Sequence, residues 1–409
     1  MARKKILNDP VYGFISISSE LILKTLDHPF FQRLRRIKQL GLSDYVYPGA
    51  LHTRFHHAIG AMHLMGEALK SLQEKGVEIT NEEFEASQLA ILLHDIGHGP
   101  FSHALEHSIL KGVHHEAISL AIMKRLNVEF EGALDLVIEI FTDSYKKQFL
   151  HQLVSSQLDI DRMDYLQRDC YFTGVSEGTI GSERIIKMLD VIDNQLVVEE
   201  KGIYSIENFL NARRLMYWQV YLHKTAISAE QMLIQIFSRA QQLFQEKEVL
   251  PVSSALSFFL SNKIGINELE TNSTVLEKFN EIDDYDVWGA IKNFTNCSDI
   301  VLSHLSKSLL NRNLHKVTLS SDEPDNTKIE KIREELKKQY HLNDSEVTCF
   351  YSSGSISNAA YISKGETINI LTKKGKILDV AEASELPNIK AISQIVTKHY
   401  LCWPKDIKI

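Results

Sequence analysis

Apolar residues recur at helical spacing through most of the first 250 positions. In SSELILKTLDHPFFQRLRRIKQL, the residues Leu21, Leu23, Leu26, Phe30, Leu34, Ile37 and Leu40 trace one stripe, broken once at Pro29. NEEFEASQLAILLHDIG predicts a helix opened by Asn81 as N-cap, with acids in its first turn, and closed by Gly97, Gly99 and Pro100. Its segment from Leu89 to Leu93 is apolar on every side, which predicts a central helix. FSHALEHSIL predicts a fresh start from Ser102. SIENFLNARRLMYWQVYLHKTAISAEQMLIQIFSRAQQLFQ reads as one long helix or two in succession, and NQLVVEEKGIYS as a hairpin that interrupts the helices only briefly.

After residue 250 the pattern changes. Short helical stretches (DVWGAIKNF, DIVLSHLSKSLL) fill 251–310. From 311 onward HKVTLS, SEVTCFYSS, AAYISK and TINILTKKGKILDV alternate like strands around the helix NTKIEKIREELKKQYH. The expected fold is mainly α: a helical core over 1–250, a helical connecting segment over 251–310, and a small α+β lobe over 311–409.

The 409 residues suffice for a large core. No apolar run reaches the ~20 residues that cross a bilayer, and MARKKILNDP lacks the apolar segment of a signal peptide. Cys170, Cys297, Cys349 and Cys402 show no CxxC spacing, so neither a zinc knuckle nor a disulfide framework is indicated. A cytoplasmic protein is expected. The net charge of -8 argues against broad nucleic-acid binding, which needs a basic footprint. A small anionic substrate stays open, because local charges and a metal dominate inside a cleft.

One feature departs from an ordinary globular chain. Ten of the 17 histidines lie between residues 52 and 115, and LLHDIGHGPFSH packs His94, Asp95, His98 and His103 together. Imidazole ligates metals and titrates near neutral pH, so a local excess points to chemistry. Neighbouring helical residues point about 100° apart, so His94 and Asp95 reach one ion only if it sits against the helix between them. Other helices must supply further ligands. HTRFHHAIG offers His57, and LDIDRMDYLQRD offers Asp159, Asp161 and Asp164; Asp161 could instead cap a helix while Asp159 or Asp164 does the ligation. Two imidazoles with two carboxylates suit Mn, Mg, Fe, Ni or Zn. An HD pair by itself says little; H…HD…D amid further His and Arg says more. His98 falls one turn after His94 and is expected on the same face. His103 with Glu106 three residues on can form an imidazole–carboxylate pair that raises the histidine's pKa and fixes its tautomer. His107 and His114 read as surface residues, and Arg213 and Arg214 as a solvated helix face.

RFHHAIG, HDIGHGPFSH and DIDRMDYLQRDC resemble the H…HD…D signature of the HD-domain phosphohydrolases. More narrowly, the stretch from NDPVYGFI through FQRLRRIKQLG and YVYPGALHTRF to YLHK resembles the deoxynucleoside triphosphate triphosphohydrolases, over more than half the chain. HHAIG departs from the family's frequent EHSLG, altering the neighbours of the metal histidine but not the histidine. The resemblance implies an HD-domain helical core and one divalent metal per subunit, held by His57, His94, Asp95 and Asp161, with Asp164 behind them. It gives His103 acid/base work, partnered by Glu106, and makes His115 a further catalytic-site histidine. It places Gln39, Arg54, His98, Arg162, Tyr165, Tyr221, His223 and Lys224 around phosphates and sugar.

The implied activity is hydrolysis of a dNTP to deoxynucleoside and triphosphate. Two alternatives are an HD phosphohydrolase acting on nucleoside monophosphates or cyclic nucleotides, and a nucleotide-binding regulator without turnover. Asp27, Gln32 and Arg35, with Arg312 and Lys316 of LNRNLHK, match family positions that bind a guanine nucleotide between subunits; on the residues alone all five are ordinary surface polar groups. The resemblance thus implies a GTP or dGTP activator and a homo-oligomer, dimer or tetramer.

Overall fold

The computed structural model describes residues 4–101, 104–105, 112–358, 360–361, 367–386, 389 and 394–409. The chain opens on an antiparallel hairpin, β1 (Lys5–Asp9) and β2 (Gly13–Ile17), that sequence patterning did not announce. The buried Asp9 carboxylate accepts from the Val11 and Tyr12 N–H groups and closes its turn. Helix α1 (Glu20–Asp27) follows, capped by Ser19. Beyond Pro29 the expected stripe does not continue to Leu40. A four-residue helix (Pro29–Gln32) gives way to a tight 3-10 turn (Arg33–Arg36), and the backbone is extended at Ile37. Arg33 is fully buried there, and its hydrogen bonds go to backbone carbonyls far along the chain.

The centre of the molecule is α2 (Arg54–Glu74) packed against α3 (Asn81–Leu93). Leu89 to Leu93 are all buried, as their unbroken apolar run predicts. Thr80, one residue before the expected Asn81, caps α3: its hydroxyl accepts from Glu83 N–H at 3.1 Å while the Glu83 carboxylate accepts from Thr80 N–H at 2.8 Å. The helix stops at Leu93, so His94 to His98 form a turn beyond its end, and His98 does not continue a helical face. The expected start at Ser102 lies outside the described residues.

Helix α4 (His115–Glu129) is tied to the turn after α3 by the Ser119 hydroxyl, which donates to the His94 carbonyl at 2.6 Å, and α5 (Ile160–Thr173) packs against α2. Strands β3 (Leu189–Ile192) and β4 (Gln195–Glu199) form the expected hairpin, with Asp193 and Asn194 both in the left-handed region that such two-residue turns need. The long helical stretch becomes two helices, α6 (Ile203–Met216) and α7 (Lys224–Gln245), separated by a π-helical turn over Tyr217–Tyr221. Further on come α8 (Asp284–Phe294), α9 (Ile300–Leu310), β5 (Lys316–Ser320) and α10 (Asn326–Tyr340).

Four strands complete the C-terminal region: β6 (Ser352–Asn358), β7 (Asn369–Leu371), β8 (Ile377–Asp379) and β9 (Val396–Trp403). One sheet runs β5-β9-β6, all antiparallel. The other runs β3-β4-β7-β8, with Val198 of β4 beside Ile370 of β7 in parallel register. The hairpin is therefore half of a four-stranded sheet that ties core to lobe. SEVTCFYSS is a strand only at its end. Its start, Asp344–Val347, is a helical turn nucleated by the Asn343 side chain, which accepts from the Ser345 and Glu346 N–H groups. Ala360 and Tyr361 of AAYISK are not in a strand, and 362–366 lie outside the described residues. Among the described residues no helix is long and apolar enough to cross a membrane.

Candidate metal centre and substrate cleft

Three helix ends converge. The first turn of α2 carries Arg54 and His57, the end of α3 leads into His94 and Asp95, and the first turn of α5 carries Asp161. His57 is fully buried, with Nδ1 2.8 Å from Asp164 Oδ2, and His94 Nδ1 lies 2.6 Å from the Ile91 carbonyl. Each Nδ1 faces an acceptor and so carries the hydrogen, leaving the Nε2 lone pairs directed into the site. Both Nε2 atoms lack a hydrogen-bond partner, yet lie 3.0 Å (His57) and 3.2 Å (His94) from Asp161 Oδ1. Donor atoms of His57, His94 and Asp161 fall within 4.8 Å of one another. Two buried lone pairs and a carboxylate oxygen aimed at one point fit a divalent cation.

Asp95 stands at the edge of this group. Its Oδ2 accepts from Arg54 Nη1 at 2.6 Å and sits 3.9 Å from His57 Nε2, while Oδ1 lies 3.3 Å from His94 Nε2 and 3.2 Å from His98 Nε2. Asp95, His98 and His115 form a second group of converging donors, and the rings of His98 and His115 stack at 3.8 Å.

The electrostatics follow from this crowding. Burial alone would lower the two metal-facing imidazoles, but the surrounding aspartates outweigh it and push His57 up to about 10 and His94 to about 9. Asp161 is likewise disfavoured by burial and held well below the carboxylate range by those imidazoles. The direction of these shifts shows that the aspartates favour positive charge at the point the two Nε2 atoms face. His98 goes the other way: burial and the Arg54 charge hold it well below the usual histidine value, so it is neutral.

The three aspartates of LDIDRMD separate cleanly. Asp159 is the N-cap of α5, accepting from Arg162 N–H at 2.7 Å; Asp161 faces the histidines; Asp164 backs His57. Behind Asp164, Arg168 donates from Nε (2.9 Å) and from Nη2 (3.0 Å), and its Nη1 reaches Asp9 at 2.8 Å. Asp9, His57, Asp159, Asp164 and Arg168 are all buried, while Asp161 is only partly so.

A cavity of about 450 Å³ opens from the metal-facing residues. Gln39, Arg54, His98, His115, Tyr165 and Tyr221 line it together with Asp95 and Asp161. Arg162, His223 and Lys224 do not. Arg162 is paired with Asp159, His223 caps α7, and Lys224 is exposed on the first turn of α7. His103 and Glu106 lie outside the described residues. Sequence reasoning missed Asp169, whose two oxygens take His52 Nε2 at 2.7 Å and the Tyr221 hydroxyl at 2.8 Å. It stands eight positions after Asp161, a helical spacing that could have flagged it. Tyr217, brought beside Tyr221 by the π turn, and Glu230 were also missed.

Two distant residues hold the cleft's loops. Arg33 donates to the carbonyls of His98 (2.8 Å) and Ile282 (2.8 Å), and Asp284 accepts from Lys38 N–H at 2.8 Å, next to Gln39. Of the residues expected at a regulatory site, Arg35 donates to Gln32 Oε1 at 2.9 Å and lies 3.5 Å over the Phe55 ring. Asp27 pairs with Lys5, Arg312 donates to the Tyr45 carbonyl, and Lys316 begins β5 over the Trp403 ring.

Residues 54–169 match the HD domain family and 180–252 the HD-associated region. An uncharacterized protein of Bacillus subtilis, YwfO, is 32% identical over all of this chain and 94% of its own length. The human deoxynucleoside triphosphate triphosphohydrolase SAMHD1 is 30% identical over 59% of the chain, which spans 45% of that enzyme. A crystal structure of a phosphohydrolase from Bacteroides thetaiotaomicron superposes with a TM-score of 0.95 at 52% identity, covering 98% of this chain and all of that one. With its HD pair and its H…D side chains on three converging helices, the chain belongs to the HD-domain phosphohydrolases, a family of metal-dependent hydrolases.

Proposed function

We propose that this protein hydrolyses dNTPs to deoxynucleoside and triphosphate. The observation that carries the reading is the cavity of about 450 Å³, a size that suits a nucleotide, lined by Asp95 and Asp161, which stand beside the Nε2 atoms of His57 and His94, and by Gln39 and Tyr221. His57, His94 and Asp161, with Asp95 beside them, would hold one divalent ion (Mn, Mg, Fe, Ni or Zn). Bound there, such an ion would supply Lewis-acid stabilisation of charge on a phosphoryl oxygen.

The chain's own residues supply the rest. Arg54 orients Asp95 and brings positive charge to the phosphate end, where a triphosphate carries about four negative charges. Neutral His98, stacked on His115, is a hydrogen-bonding group that adds no competing cation. Gln39, whose side-chain oxygen is buried without a partner, is placed to meet a sugar hydroxyl. Tyr221, fixed by Asp169, packs where a ribose 2′-hydroxyl would have to fit. His103, with Glu106, transfers the proton to or from the reacting oxygen. Arg162, His223 and Lys224 approach the triphosphate only if side chains at the cleft mouth rearrange on binding.

The same resemblance supports a GTP or dGTP activator in a homo-oligomer, with Asp27, Gln32 and Arg35 of one subunit reading guanine and Arg312 and Lys316 of another holding its phosphates. Binding across subunits would favour assembly by mass action.

Chromatography of products from the four dNTPs, incubated with Mn or Mg singly and as a mixture, tests both parts. Triphosphate is the expected product. Release of only phosphate or pyrophosphate from every dNTP would refute the reaction. Full activity on a single non-guanine dNTP, unchanged by GTP or by Arg35→Ala, would remove the activator.

A further inference from the structure

Glu230 lies on α7, six residues past Lys224 and so about 9 Å along the helix axis, and its side chain lines the cleft. Among the described residues it makes no hydrogen bond and no ion pair. The charged groups that share the cleft are engaged elsewhere: Lys38 donates to Asp44 at 2.8 Å and Arg54 to Asp95 at 2.6 Å. A carboxylate facing a nucleotide cleft without a cation is costly unless the ligand brings donors to it. The phosphates cannot be that ligand group, since like charges repel. Arg54, Asp95 and Asp161 exert no resolved electrostatic influence on Glu230, whereas Glu230 acts on Tyr400 of β9, so its carboxyl stands away from the phosphate end of the cleft.

We infer that Glu230 reads the base of the bound nucleotide by accepting hydrogen bonds from its N–H edge, and so favours guanine. This rests on the proposed dNTP substrate. Guanine offers N1–H and the exocyclic amino group side by side, the pair a carboxylate accepts best. Adenine and cytosine offer an amino group next to a ring acceptor, and thymine a single N–H between two carbonyl oxygens that repel the carboxylate. A buried polar group left unpaired by the wrong ligand is what makes such a site selective. Burial alone raises the Glu230 carboxyl to about 7, so it is ionised only above that pH unless a donor meets it.

The test is equilibrium dialysis of each dNTP against protein stripped of metal by EDTA, at a pH above that value, for wild type, Glu230→Gln and Glu230→Ala. Initial rates for the four dNTPs are measured in parallel with metal restored. Both variants are checked for unchanged thermal unfolding. Wild type is expected to favour dGTP over dTTP, and both variants to lose roughly 10- to 100-fold of that ratio, the worth of hydrogen bonds to a charged group. Guanine bound at a regulatory site adds equally to all three proteins, so it is removed by subtracting each variant's dGTP binding from that of wild type before the ratio is formed. Equal changes for all four bases, or none, overturn the inference. A Glu230-dependent binding preference with no turnover by wild type would instead overturn the hydrolysis reading and leave the base-reading role standing.

Discussion

The two ends of the cleft are built on opposite principles. At the metal end almost every charge is answered: Asp9, Arg168, Asp164 and His57 form one buried chain of ion pairs and hydrogen bonds, and Arg54 closes on Asp95. Elsewhere on the cleft wall Glu230 stands with burial as the only influence on its charge. A site that must hold two imidazole lone pairs on one point has to fix both rings, and a network of buried pairs does so because each member constrains the next. If the cleft takes a nucleotide as proposed, the Glu230 end gains from fewer constraints, and one polar group can then decide between bases.

The comparison breaks most severely at Asp161. Asp161→Ala removes the carboxylate shared by His57 and His94, and dNTP hydrolysis should fall by roughly 10³-fold or more, since Lewis-acid stabilisation is worth several kcal/mol. Metal analysis of the purified variant should show the ion lost. Retention of the ion at full stoichiometry would take Asp161 out of the ligand set.

A milder cut falls one layer back. Asp164→Asn keeps the volume but weakens the hold on His57 Nδ1 and leaves Arg168 short of an anion. Metal affinity should drop by about 10- to 100-fold, with activity restored by excess metal. Unchanged affinity in a metal titration would mean that the buried chain serves folding alone.

The smallest effect concerns the loop at the cleft's middle. Burial pushes Asp284 up to about 7, although the N–H groups of Lys38 and Phe101 favour its ionised form. Its folded pKa is above its unfolded value, so the associated stability is present at acid pH and lost as pH rises through about 7. Asp284→Asn does not pay this penalty. Its Tm relative to wild type should rise by a few degrees between mildly acid and mildly alkaline solution. A Tm difference independent of pH in differential scanning calorimetry would show that Asp284 is ionised throughout.

What could be read from the sequence follows the same division. His57, His94, Asp95 and Asp161 stood out because imidazoles and carboxylates were concentrated beside apolar helical runs, and that concentration has few other causes. The structure brings them together. Asp159 and Asp161 could not be told apart by residue type; only helix phase makes one a cap and the other a site residue. Arg33 and Asp284 were illegible, because their partners lie 65 to 249 positions away and no local pattern encodes such pairings. In the lobe, SEVTCFYSS carried strand-forming residues while Asn343 imposed a helical turn, so a single cap outweighed composition. His103 and Glu106 remain expectations from the resemblance.

The grip of Arg33 has a consequence for biosynthesis. One guanidinium joins the carbonyl of His98 to that of Ile282, so the loop carrying His98 is tied to the downstream helices only after residues far along the chain have been made. At about 5–20 residues per second, the ribosome needs on the order of ten seconds to pass from the end of α5 to that point. For that interval the nascent chain carries the side chains proposed to bind metal with Arg33 still lacking one of its anchors. A fragment ending at residue 252, where the HD-associated match stops, would be arrested in that state: it keeps the proposed ligands and lacks the clasp.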